Sequence, residues 1–175
     1  MAPTKGRVGN ARFVVHGLFM LVLVFLRFTP GFTLLLFGQP AELLLCLTLM
    51  IALYEHDTAG AVAGFSAGIL MDLCTGVVPG FHAGLFMLMG GFAGYVSRQY
   101  LTNNLISALL LTAAGTFLYK LIHWLCFWVI LGIERPFYHF FRHHMISFLF
   151  TVLLTVPAYF IVRFYRKRFR TRIPL

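Results

Sequence analysis

Three residues that together can carry out acyl transfer, Ser66, Asp72 and His82, fall within residues 66–82. The serine sits in Gly64-Phe65-Ser66-Ala67-Gly68, which fits the G-x-S-x-G pattern of a hydrolase nucleophile elbow. In such an elbow a histidine, oriented by an acid, takes the proton from the attacking hydroxyl. The elbow also needs a strand, a sharp turn and a helix at the edge of an α/β sheet. No strand is predicted around Ser66, which falls mid-helix in an apolar run and is expected to bond back to a carbonyl of its own helix. Intramembrane serine proteases use G-x-S-G, and Ala67 breaks that pattern. A second chemistry, metal binding, is suggested by His139, His143 and His144 at i, i+4 and i, i+5 spacing. With no thiolate nearby, they read as an interfacial histidine cluster. The three cysteines, Cys46, Cys74 and Cys126, are far apart and form no C-x-x-C, so neither a disulfide framework nor a zinc site is expected. A phosphatidyltransferase would show paired acids for metal ions, and Asp72 has no acid at helical spacing. The chain is expected to be no enzyme, with no catalytic residue, metal or cofactor.

The elements that hold these residues are set by composition. The chain has 175 residues, 60% hydrophobic and only 11% charged, with a mean hydropathy of +0.87. Soluble domains carry about a quarter charged residues, so this reads as an all-α integral membrane protein. Hydropathy and punctuation predict a single transmembrane domain of six helices, at about 12–28, 40–55, 58–73, 80–98, 103–132 and 139–164, with a basic tail at 165–175. The first run resembles a signal peptide, but no small-x-small cleavage site follows and further spans come after, so it is kept as a helix. Segment 31–39 is apolar but too short to span, and is expected to lie at the interface or re-enter. Pro40 suits the first turn of the second helix. Asp57 or Thr58 can cap the third, Pro79-Gly80 opens the fourth, and Thr102 or Asn103 caps the fifth.

Formal charge is +9, and the bases are placed unevenly. With six spans, the N-terminal arm, Arg98 and the tail put ten bases on one side against three (Arg27, Arg135 and Arg142) on the other. The positive-inside rule then makes both termini cytoplasmic. The basic tail beside long apolar runs points to anionic membrane lipids, not nucleic acid. The second and third helices, short and joined by an acidic turn, are the weak point of this topology.

Gly60, Gly64, Gly68 and Asp72 recur every four residues, with Ala59, Ala63 and Ala67 beside them. Such a face lets another backbone approach closely, the small-xxx-small mode of membrane helices. Gly76, Gly80 and Gly84, then Gly90 and Gly94, extend the pattern, so the glycines read as helix packing. Pro40 and its apolar run, GAVAGFSAGILMDL, Gly76, and VPGFHAG with Tyr95 together resemble the rod shape-determining MreD family over about 40–97. Gly60, Gly64, Phe65, Gly68, Asp72, Leu73, Gly76 and Gly80 match that family's pattern, while Gln39 stands where many relatives have arginine. The resemblance implies a six-transmembrane-helix bundle similar to the substrate-binding subunits of energy-coupling-factor vitamin transporters. It also implies a non-enzymatic scaffold in the bacterial plasma membrane, serving cell elongation and peptidoglycan synthesis. Its partners would be an MreC-type single-pass protein, a RodA-type polymerase and a class B penicillin-binding protein. The alternative on the same fold is a vitamin-type transport subunit. Against it, the first helix lacks the alanine-rich face such subunits often use to contact an energising partner.

Intramembrane charges mark candidate functional positions. Asp72 lies ~21 Å from Thr58 along its helix and Lys120 ~22 Å from Leu105, at matching depth. Glu42, His123, Arg142 and His143 fall near the same level. Two readings stand: the groups snorkel to the outer interface, or they line a polar cavity or partner contact with Asp72 paired to Lys120. The aromatic fifth helix, with Phe117, Tyr119, Trp124, Phe127 and Trp128, reads either as an interfacial belt or as a docking face.

Overall fold

The computed structural model describes residues 16–25, 35–36, 39–55, 57–76, 78–129 and 140–170, and these are almost all helical. They form α1 (His16–Phe25), α2 (Leu43–Glu55), α3 (Asp57–Thr75), α4 (Phe81–Tyr100), α5 (Leu105–Trp124) and α6 (Met145–Arg170). A π-helical turn, Leu125–Val129, continues α5, and another, Phe140–His144, leads into α6. Before α2, a short antiparallel pair joins β1 (Leu35–Leu36) to β2 (Gln39–Pro40). Of the first predicted helix, only 16–25 lies within the described residues. The basic arm, the turn around Arg135 and the last five residues lie outside them.

Among the described residues, three stretches are long and apolar enough to cross a membrane: Asp57–Thr75, Leu105–Phe127 and Met145–Phe164. Six crossings were expected, but by length and apolar character these three qualify. α2 has 13 residues, ~20 Å of helix. α4 has 20 residues, but its glycines, His82 and Arg98 dilute it.

The expected weak point proves to be the centre. Every residue from Leu44 to Tyr54 in α2 is buried, as befits a helix that is apolar all round. α2 packs against α3, α4, α5 and α6. It starts later than expected, because Pro40 is used in the β pair. Its start is anchored from α6, where the Glu42 N–H donates to Thr151 Oγ1 at 3.0 Å, while the Glu42 carbonyl accepts from Cys46 N of α2 itself at 3.0 Å. α5 is preceded by Asn104, not by Thr102 or Asn103, and the Asn104 side chain makes no capping bond.

Candidate functional site

α3 and α4 form the closest pair in the fold, and the glycines explain it. A Cβ at Gly60 would overlap the carbonyl oxygen of Gly90 and the Ala52 methyl. One at Gly64 would overlap the Phe86 backbone, and one at Gly68 the backbone of His82 and Ala83. Each step of four forward along α3 is answered by about four back along α4. Backbone lies on backbone, as small-residue membrane packing requires. The other three predicted packing glycines are corrected: Gly76, Gly80 and Gly84 meet nothing within 4 Å. Gly76 (φ 61°) and Gly80 (φ 87°) instead turn the chain between the helices, a conformation that glycine adopts without cost.

One step beyond Gly68 stands Asp72. Its Oδ2 accepts from Gly80 N at 3.0 Å and Ala83 N at 3.1 Å. Its Oδ1 accepts from His82 N at 3.1 Å and lies 2.7 Å from His82 Nδ1. The carboxylate therefore caps the start of α4, where N–H groups lack intrahelical partners. The expected Asp72–Lys120 pair is not formed. Lys120 Nζ donates instead to Glu42 Oε1 at 2.8 Å, with the lysine 7% and the glutamate 4% exposed. Matching depth put both acids within reach of the lysine. Only α2, packed against α5, presents its acid on the right side.

The Asp72–His82 contact and the Glu42–Lys120 pair share one end of the bundle, and a row of imidazoles lies there too. The His82 and His123 rings are 6.3 Å apart, and those of His123 and His144 5.7 Å apart. Nδ1 of His123 is buried with no hydrogen-bond partner among the described residues. Of the predicted polar set, Glu42, Asp72, Lys120 and His123 are thus gathered at one end. The side chains of Arg142 and His143 lie outside the described residues, as does His139. Among the described residues no group of His, Cys, Asp and Glu converges to hold a metal ion.

The triad suggested by the sequence is half assembled. Asp72 and His82 meet, but Ser66 Oγ donates to the carbonyl of Val62 in its own helix. Ser66 also lines a cavity of about 50 Å³ with His16, Gly17, Met20, Ile51 and Ala59. The sequence reading missed a buried hydroxyl stripe on α6, formed by Ser147, Thr151 and Thr155. Its signal is the spacing of four, masked by the apolar residues between.

These features define a helical membrane protein whose core is one buried central helix flanked by a glycine-packed hairpin. No protein-family model matches the chain, and neither a curated protein nor a solved structure is similar to it.

Proposed function

We propose that the chain is a non-enzymatic scaffold of the bacterial cell-elongation complex, set in the plasma membrane with both termini cytoplasmic. It would bind an MreC-type single-pass protein beside a RodA-type polymerase and a class B penicillin-binding protein. One observation carries this reading: the motif residues that resemble the MreD family are spent on architecture. Gly60, Gly64 and Gly68 admit the α4 backbone, and Asp72 ties its first turn. Ser66, the one nucleophile in the motif, is bonded into its own helix. A hairpin built in this way supports a rigid membrane surface for partners better than it supports a reaction.

The test is depletion in the native cell together with affinity purification of the tagged protein. Loss of rod shape and co-purification of the MreC-type protein are expected. Unchanged shape with no such partner overturns the proposal. A tightly held vitamin-sized molecule in the purified protein, without a shape defect, supports the transport alternative.

A further inference from the structure

α6 is longer than its apolar stretch. That stretch ends at Phe164, yet the helix runs on to Arg170, a further ~9 Å. The extension carries Arg166, Lys167, Arg168 and Arg170.

The residues just before it show where each face of α6 looks. Tyr159 is 1% exposed. Its ring stacks on Tyr54, near the end of α2, and its hydroxyl donates to the Asn103 carbonyl in the α4–α5 connection at 3.3 Å. Phe160, Ile161 and Phe164 are half or more exposed and mark the outward face. A helix turns ~100° per residue, so a step of seven returns to within ~20° of its start. Lys167 and Arg168 therefore fall on the outward face, seven residues past Phe160 and Ile161. Arg166 falls with Tyr159, seven residues on, and so does Arg170, eleven on. Arg163 lies only ~40° away. The register thus divides the bases into an outward pair, Lys167 and Arg168, and a bundle-side row, Arg163, Arg166 and Arg170. Pro157 precedes Tyr159 and leaves this register unbroken.

The outward pair is placed to meet the phosphates of an anionic membrane surface. The bundle-side row is turned away from that surface and needs another source of negative charge. The described acids of this chain do not supply it to Arg163. Glu42 and Asp72 are engaged at the other end of the bundle, Glu55 lies 4.0 Å from His16, and Asp57 opens α3. Among the described residues, no carboxylate forms an ion pair with Arg163. Its guanidinium is held by Tyr159 instead, donating to the hydroxyl at 3.3 Å and lying 5.8 Å from the ring centre. A guanidinium fixed in this way loses little freedom on binding, and its fork of donors matches a carboxylate. Arg98, in the last turn of α4, adds a further cation at the same end.

We propose that the bundle-side row of α6, Arg163, Arg166 and Arg170, is a docking edge for an acidic peptide segment of a partner protein, beside the α4–α5 connection. Charge selects the acid, and the face selects a protein segment over the lipid surface that the outward pair meets. On the proposed topology this end is cytoplasmic, and the partner segment would be so too. The inference does not rest on the elongation role, and either can fail alone.

Binding of a fluorescent octaglutamate peptide, read by anisotropy on the full protein in phosphatidylcholine nanodiscs, tests it. Two variants remove equal charge: Arg166→Gln with Arg170→Gln from the bundle side, and Lys167→Gln with Arg168→Gln from the outward side. Saturable binding is expected, weakened roughly five- to ten-fold by the first variant and less than about two-fold by the second. No saturable binding overturns the proposal. So does equal weakening by the two variants, which would mean a diffuse attraction to net charge. Enrichment of phosphatidylglycerol around the protein in mixed nanodiscs, lost in the first variant and kept in the second, would give the row to lipid and also overturn it. All four positions lie beyond the apolar stretch, so both variants should keep the Tm of the unaltered protein. If the first does not fold, Arg170→Gln against Arg168→Gln makes the same comparison.

Discussion

At the scale of single side chains, Asp72 works as an acceptor for four donors, three of them backbone N–H groups of the α4 start. An amide in its place would turn NH₂ toward some of those donors. Asp72→Asn is therefore expected to lower stability by ~1–3 kcal/mol, read as thermal unfolding in detergent. Glu42 and Lys120 form a separate unit. Removing one partner leaves a buried charge, a loss of ~3–5 kcal/mol, whereas removing both costs less. Lys120→Met should thus be partly rescued by Glu42→Gln, while Lys120→Met and Asp72→Asn should add. Rescue of Lys120→Met by Asp72→Asn instead would mean that the pairing is wrong. Counting residues from the helix ends placed all three groups at one level in the sequence. Level along an axis says nothing about which way a side chain faces, so the partners were not legible there.

At the scale of elements, the α3–α4 hairpin was the most legible part of the chain. Its pattern is local: glycines at the helical repeat need only a second small-residue helix to meet. The predicted limits of 58–73 and 80–98 fall close to Asp57–Thr75 and Phe81–Tyr100. What the repeat could not reveal is where it stops packing and starts turning, since Gly76 and Gly80 keep the same spacing for a different reason. Alanine substitutions separate the three kinds of glycine. At Gly60, Gly64 or Gly68 an added methyl would meet backbone atoms, so the helices must part, and a clear fall in folded yield and Tm is expected. At Gly76 or Gly80 the positive φ should cost ~1–2 kcal/mol. At Gly84, where nothing lies within 4 Å, alanine should be neutral or gain up to ~1 kcal/mol from helix propensity. Ser66→Ala should leave Tm unchanged, because the hydroxyl bonds only to its own helix.

At the scale of the whole molecule, the central place of α2 was hidden from hydropathy. A helix of 13 residues scores as a poor span, and only its neighbours reveal that it is short because it is enclosed. Orientation is the property on which sequence and fold can be joined most directly. The Asp72 cap, the Glu42–Lys120 pair and the histidine row lie at the end where α3 and α5 finish and α4 begins. Arg98 lies in the last turn of α4, at the opposite end. On the proposed six-span topology, ten bases against three would assign Arg98 and both termini to the cytoplasm, and so would put the polar end outside. Cys74, exposed in the last turn of α3, reports on that end directly. In a Cys126→Ser background, with Cys46 buried, a membrane-impermeant maleimide added to intact cells with a permeable outer layer should label Cys74. The same reagent confined to the cytoplasmic face of inverted vesicles should leave it untouched. Labelling only from the cytoplasmic face would reverse the topology and move the capped end of the hairpin inside.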